Sequence, residues 1–244
     1  MRLKKHLLPK VHPSKVKKGL DFATLEAKYA AMDKSPLKIT ATMANPTVAN
    51  GGYGIHLDGI LSWAVLTAHP CTYEQAEFLL TPLPLETLDF RGDLPLWAAS
   101  DFMTDKIHTG REYWHKRYPA DRVEFAAKRN ANTSAGRWRE YRVPLNLNVT
   151  HAFTAYAIGN RDEVARLLDY VTHLGKKSAY GYGRVVKWSV EECGDCLELI
   201  HNNRLLPIEY ARRVGLDGGI VPAACWTPPY WYRPHQATCM DMRR

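Results

Sequence analysis

The segment from Asn160 to Trp188 constrains the fold most, because it encodes a helix, a glycine-rich basic loop and a strand in one run. Asn160 is a residue type that caps helix N-termini, and Glu163 stands where a capping box places its acid. Val164, Leu167, Leu168, Val171 and Leu174 then recur at helical spacing and predict one buried face. Gly175 falls where such a helix would end in a left-handed residue. In the loop that follows, Gly175, Gly181 and Gly183 let backbone approach a ligand closely. Lys176, Lys177 and Arg184 add positive charge beside Ser178, and Tyr180 and Tyr182 offer ring faces on either side of the middle glycine. These are the parts of a phosphate-and-base cradle. The competing reading is a tight turn with solubilising lysines. Val186, Trp188 and Val190 give the next strand its apolar side.

A second β-α pair is written earlier in the chain. Leu37, Ile39, Ala41 and Met43 alternate with polar residues as in a half-buried strand, and residues 45–54 read as a loop. A helix from about Ile55 to Ala68 would bury Leu57, Ile60, Leu61, Ala64, Val65 and Ala68. His56 and Asp58 stand at its start. Asp58 complements the helix dipole, and the free N–H groups offer a phosphate contact, with structural capping as the competing role. In the second half Val143, Leu145, Leu147 and Val149 alternate in a strand, with Pro144 marking an edge or bulge. Beyond the strand at 186–190, Cys193-Gly-Asp-Cys196 reads as a turn and Leu197 to Ile200 as the return of a C-terminal β-hairpin.

Two stretches concentrate positive charge. Residues 1–20 hold seven Lys and Arg and no acid, which describes an electrostatic arm. Residues 21–32 then place Phe22, Leu25, Tyr29 and Met32 on one side of a short helix. Residues 104–140 interleave basic and aromatic side chains: Arg111, Tyr113, Trp114, Lys116, Arg117 and Tyr118, then Lys128 and Arg129, then Arg137, Trp138, Arg139 and Arg142 just beyond. Charge that follows a backbone and rings that take unstacked bases suit single-stranded nucleic acid. A solvated insertion whose rings pack on the core is the alternative.

The helix, the loop ending in Gly181-Tyr-Gly183 and the strand after it resemble the signature of the RAMP (repeat-associated RNA-binding) superfamily of CRISPR systems. Ile55-His-Leu-Asp-Gly-Ile-Leu-Ser-Trp-Ala-Val-Leu66 resembles the first-helix pattern of the small, Cas-five-like subunit of type IV effector complexes. The aromatic, proline-rich stretch from Trp226 to Pro234 is similar to that group as well. The likeness spans roughly residues 36–234; its one departure is the first Gly-x-Gly of the fuller loop, reduced here to Leu174-Gly175. It implies an α+β fold, a ferredoxin-like (RRM-like) β-α-β-β-α-β module with a basic thumb-like insertion at about 104–140 and the C-terminal hairpin. Residues 1–35 would then be a basic extension and residues 235–244 a tail.

The resemblance further implies a non-catalytic subunit of a CRISPR ribonucleoprotein. Its loop and first-helix terminus would grip the 5′ handle of the crRNA, with Gly175, Lys176, Lys177, Ser178, Tyr180, Gly181, Tyr182, Gly183, Arg184 and His56 as RNA contacts. Its thumb would wedge into the guide–target duplex. It would cap the complex beside the backbone (Cas-seven-like) and large subunits, near the PAM side of target DNA. The rival is a metal-independent endoribonuclease that processes pre-crRNA, for which His56, His108, His115, His151 and His173 are available without a spacing that demands catalysis. A generic RNA-binding module is a third reading.

Composition bounds these expectations. The formal charge of +8 and pI near 9.2 favour an anionic partner. Five scattered cysteines make no disulfide framework, which points to a reducing cytoplasm. Cys193 and Cys196 with Cys225 and Cys239 could supply four zinc ligands, but two reduced thiols at a turn is the simpler reading, so no metal or cofactor is expected. No apolar run reaches the ~18 residues of a membrane span. Walker, zincin and nucleophile-elbow motifs are lacking.

Overall fold

A computed structural model of the chain describes residues 22–49, 54–69, 80–90, 94–104, 107–117, 134–136 and 139–243. The expected arm at 1–20, together with Tyr118, Lys128, Arg129, Arg137 and Trp138, lies outside them.

The central sheet is built on β1 (Ser35–Met43), which pairs antiparallel with β7 (Ala152–Gly159) on one side and β8 (Val185–Glu192) on the other. Leu37, Ile39 and Ala41 face Ala157, Ala155 and Phe153 across the first ladder, and all six are buried. Small residues on this face let two helices close upon it: α2 (Leu57–Ala68) through Leu57, Leu61, Ala64 and Val65, and α3 (Arg161–Leu168) through Val164, Leu167 and Leu168. On the far side of β7 the chain at 97–103 contributes bridges, Ala99 to Ala157 and Met103 to Thr154, and the two-residue strand β4 (Asp101–Phe102), which pairs with β3 (Ile55–His56). The spatial order β8-β1-β7-(97–103) is antiparallel throughout. With two helices on one face, it makes the mixed α+β architecture that was expected, built on antiparallel sheet.

A side layer joins β2 (Thr47–Val48), β5 (His108–Lys116) and β6 (Tyr141–Val149) in the order β2-β6-β5. A third sheet, β10-β11-β9, closes the C-terminal part with β9 (Leu205–Pro207), β10 (Gly219–Cys225) and β11 (Gln236–Asp241). It packs Leu206, Tyr210, Ala211, Trp226, Cys239 and Met240 together beside two short helices, α4 (Leu197–Asn202) and α5 (Ile208–Arg213). Ahead of β1, helix α1 (Phe22–Ala30) buries Leu25 and Tyr29 in the main core, so this part of the expected extension belongs to the module. Among the described residues, no helix is long and apolar enough to cross a membrane.

Five local expectations need correction. Helix α3 stops at Leu168; Val171 and Leu174 are buried, but Leu174 N–H donates to Gly183 O (2.8 Å) and His173 bridges Arg184. The periodicity therefore reported burial beyond the helix itself, where β-branched Val171 and Thr172 favour extended backbone. Asn160 does cap Glu163 N–H (3.0 Å), yet the Glu163 carboxylate turns away to accept from Arg166 (2.7 and 2.9 Å) and from Tyr29 Oη (3.1 Å). A β-bulge at Thr42/Met43 pairs Met43 with Val185, so Val185 packs on the core and Val186 is 66% exposed. Leu197 to Ile200 form helix α4, not the return of a hairpin, because Asp195 Oδ1 accepts from Leu197 N–H (3.0 Å) and starts a turn there. Residues 236–241, placed by the sequence reading in a tail, are the middle strand of the third sheet.

Replacing Asn160 with Ala removes the cap and also its Nδ2 bond to Asp33 O (3.0 Å). A loss of about 1–2 kcal/mol in urea unfolding is expected. The Arg166 hydrogen bonds are the main reason that Glu163 is held below the ordinary glutamate range. Its contribution to stability is thus present at neutral pH and lost as pH falls through its lowered value.

Candidate nucleic-acid interface

The loop after Leu174 is fixed by its glycines and by the β1–β2 connection. Gly183 sits at φ +70°, donates to Pro46 O (2.8 Å) and accepts from Leu174 N–H. A Cβ there would stand 1.9 Å from Leu174 O, a backbone atom with no room to yield. Gly181 is also left-handed at φ +86°, but nothing lies within 4 Å of its Cβ direction. Gly183→Ala is therefore expected to cost roughly 3 kcal/mol or more, against about 1–2 kcal/mol for Gly181→Ala. Urea denaturation of the two variants checks the order.

Between Gly175 and Gly181, Ser178–Tyr180 forms a single 3₁₀ turn preceded by Lys177 at φ 65°, ψ 30°. A lysine in the left-handed region carries strain of about 1–2 kcal/mol that glycine would avoid. Its ammonium rests over two rings, 5.0 Å from the Trp114 centroid and 5.6 Å from that of Tyr180. Trp114 and Tyr180 meet edge to face at 5.3 Å, and Trp114 also leans on Tyr141 at 5.3 Å. Tyr182 Oη donates to Glu112 Oε2, and that hydrogen bond raises the Tyr182 pKa. Trp114 and Tyr182 together pack on Val48, Leu145 and Leu147. Lys176 bridges Val48.

The glycine loop and the thumb-like insertion, two separate candidates in the sequence, are thus one surface. The β5–β6 ribbon turns Glu112, Trp114 and Lys116 toward the loop side, with Lys116 Nζ 5.8 Å from the Tyr141 ring. Its opposite face carries Arg111, Tyr113, His115 and Arg142, where the Arg142 guanidinium lies 3.7 Å above the Tyr113 ring and Arg111 Nε donates to Asn146 (3.3 Å). Lys176, Lys177, Arg184, Arg111, Arg117, Arg139 and Arg142 are all exposed. A cation over a ring retains its N–H donors for phosphate, so ring stacking and backbone binding are compatible here.

His56 has a different setting. It stands at the N-cap position of α2 without a side-chain capping bond; its ring stacks on Tyr230 with centroids 3.8 Å apart, and its Nδ1 pairs with Asp101 Oδ1. Its neighbour Ile55 nevertheless reaches Gly175, with Cδ1 3.9 Å from that residue's Cβ direction, so this helix end adjoins the loop. Asp58, read as a dipole partner, is buried and accepts from Tyr230 Oη (2.7 Å), with Arg204 at 3.7 Å. His173 is in a bridge and not in a helical turn, and its Nδ1 meets Thr172 Oγ1 (2.9 Å). Cys193 and Cys196 border one apolar cluster and Cys225 and Cys239 another region, so the four thiols weighed as zinc ligands are not brought together; among the described residues no group of three or more His, Cys, Asp or Glu side chains is placed to hold a metal ion.

Sequence reasoning missed Asn45, whose Nδ2 donates to Gly181 O (2.7 Å), and Glu112, the anchor of Tyr182. No local signal marks either, since each acts on a partner far along the chain. A model of the family described as CRISPR type IV associated protein Csf3 matches residues 98–242, which hold the ribbon, the glycine loop and the third sheet. The chain belongs to the Csf3 family. This bears out the type IV CRISPR assignment made from the helix motif at 55–66 and the aromatic, proline-rich stretch at 226–234. No curated protein matches the sequence. Among solved structures, a chain from a complex described as the Type III-B Cmr-beta bound to cognate target RNA is similar at 13% identity and a TM-score of 0.36. That likeness covers 70% of this Csf3-family chain and 65% of the other.

Proposed function

We propose that this Csf3-family protein is a non-catalytic, RNA-binding subunit of a type IV CRISPR ribonucleoprotein. The observation that carries the reading is the docking of Lys177 and Tyr180 onto Trp114, which joins the glycine loop to a basic ribbon in one exposed surface. In this reading the loop grips the 5′ handle of the crRNA through Lys176, Lys177 and Arg184 and through backbone opened by its glycines. Arg111, Lys116, Arg117, Arg139 and Arg142 follow the strand onto the ribbon, whose tip interrupts the first guide–target pairs. The protein caps the complex against the backbone (Cas-seven-like) and large subunits, near the PAM side of target DNA.

The rival, metal-independent cleavage of pre-crRNA, is separated by one assay. The purified chain is incubated in EDTA with repeat-spacer precursor RNA, mature guide and an unrelated RNA of equal length. Tight, salt-sensitive binding that prefers the repeat-derived handle and leaves the RNA intact is the expected result. A cut within the repeat would make the protein the processing nuclease, and equal affinity for all three RNAs would make it a generic RNA-binding module.

A further inference from the structure

At the base of the ribbon, a cleft of about 620 Å³ opens between the end of β1 and the β6–β7 turn. One wall is Ala44, Asn45 and Pro46; the other is formed by Thr104, His108, Thr150 and His151. The first wall is the same backbone that holds the glycine loop from behind. Ala44 N–H donates to Arg184 O (2.8 Å), Asn45 Nδ2 to Gly181 O (2.7 Å) and Gly183 N–H to Pro46 O (2.8 Å). The second wall is the root of β5 and the turn that ends β6. The cleft therefore lies beside both the glycine loop and the root of the ribbon.

The lining fits a base better than a phosphate. No Lys, Arg, Asp or Glu contributes to it among the described residues, and its polar groups are hydroxyls, an amide and two imidazoles. Thr104 and Thr150 hydroxyls lie 2.6 Å apart, which fixes one side of the opening. Among the described residues neither the His108 nor the His151 ring has a hydrogen-bond or ion-pair partner, and both are exposed. Imidazole planes stack on nucleobases, and hydroxyl and amide groups meet their Watson–Crick or Hoogsteen edges. The volume lies within the range of about 300–1,000 Å³ typical of small-ligand sites and exceeds what a single base needs.

We infer that this cleft takes one unstacked nucleobase of the RNA whose phosphates run over the glycine loop, with His108 and His151 as its ring and edge contacts. The inference rests on the RNA-binding reading above and adds a base site to a backbone site. It also separates two kinds of contact. Loss of a phosphate contact lowers the salt dependence of binding, whereas loss of a base contact weakens binding at unchanged salt dependence.

The test uses the full chain and single-stranded RNAs of roughly 12 nucleotides, each carrying one 4-thiouridine at a different position. Photo-crosslinking is expected to join one position to the peptides around His108 or His151. The double variant His108→Ala/His151→Ala is expected to lose that crosslink and about tenfold in affinity with the salt slope unchanged. Ala44→Leu, which narrows the opening without touching either histidine, guards against a folding artefact and should weaken binding in the same way. If the wild-type chain binds RNA but crosslinks elsewhere, and both variants bind as well as it does, the cleft is not a base site while the surface reading stands. If the wild-type chain binds no RNA, both fall.

Discussion

Exchanging Lys176 and Lys177 for Glu is expected to abolish handle binding, with affinity lowered at least about 100-fold. Two cations that reach the strand become two like charges beside it, a reversal worth several kcal/mol. Fluorescence anisotropy across a salt series checks the mechanism as well as the size. For a single strand each lost phosphate contact should flatten the slope of log K against log salt by about 0.7. Because Lys177 also rests over Trp114 and Tyr180, Glu at this place could loosen the ribbon from the loop. Lys177→Gly removes the charge without reversing it. It suits the left-handed backbone at φ 65°, so the fold should be kept or slightly stabilised while binding drops by about tenfold. Unchanged affinity in the double variant would take the site off the glycine loop.

The largest effect on stability is expected at Arg204, which has no part in the basic surface. Its buried guanidinium donates to Trp97 O, Ala99 O (2.7 Å), Trp226 O (2.7 Å) and Leu205 O (3.2 Å), with Asp58 Oδ2 at 3.7 Å. It thereby ties the strand-like segment at 97–103, helix α2 and the third sheet to one another. Arg204→Ala removes a donor from each of these carbonyls and leaves a buried carboxylate without its cation, for a loss of about 3–5 kcal/mol. Burial already pushes the Asp58 carboxyl up, and Arg204 is the first of the groups that pull it back. In the variant that value rises further. A carboxyl raised on folding stabilises only while protonated, so the deficit should grow as pH rises through the elevated value. Urea unfolding at several pH values reads both parts, and a deficit below about 1 kcal/mol would show that the network does not join the two sheets.

What could be read from the sequence was what depends on neighbours in the chain. Leu37, Ile39, Ala41 and Met43 alternate because one face of β1 is covered by helices, and that pattern survives unaided. Asn160 caps through a residue three positions away, so its role was also visible. The glycine loop was legible as a loop of unusual chemistry, and its left-handed positions at Gly175, Gly181 and Gly183 agree with that reading. Its partner was not legible. Tyr182 and Glu112 are 70 positions apart, and nothing in either segment specifies that they meet. The third sheet escaped for the same reason: β11 supplies its middle strand from the last residues of the chain and pairs with β9 and β10 on both edges. Helix α4 was misread because Leu197-Glu-Leu-Ile is too short for a helical period to beat an alternating one, and the deciding signal was the Asp195 side chain before it. Asp58 was legible only as a dipole partner of its helix and Arg204 carried no signal, since burial of a charged pair follows from tertiary packing alone.

Hydrogen–deuterium exchange of the full chain with and without handle RNA tests the central claim most directly, because it asks where the strand lies. Protection is predicted at 174–184 and along both strands of the ribbon, 108–116 and 141–149, with the third sheet unchanged. Protection confined to the third sheet, or to the loop without the ribbon, would contradict an interface made by joining the two.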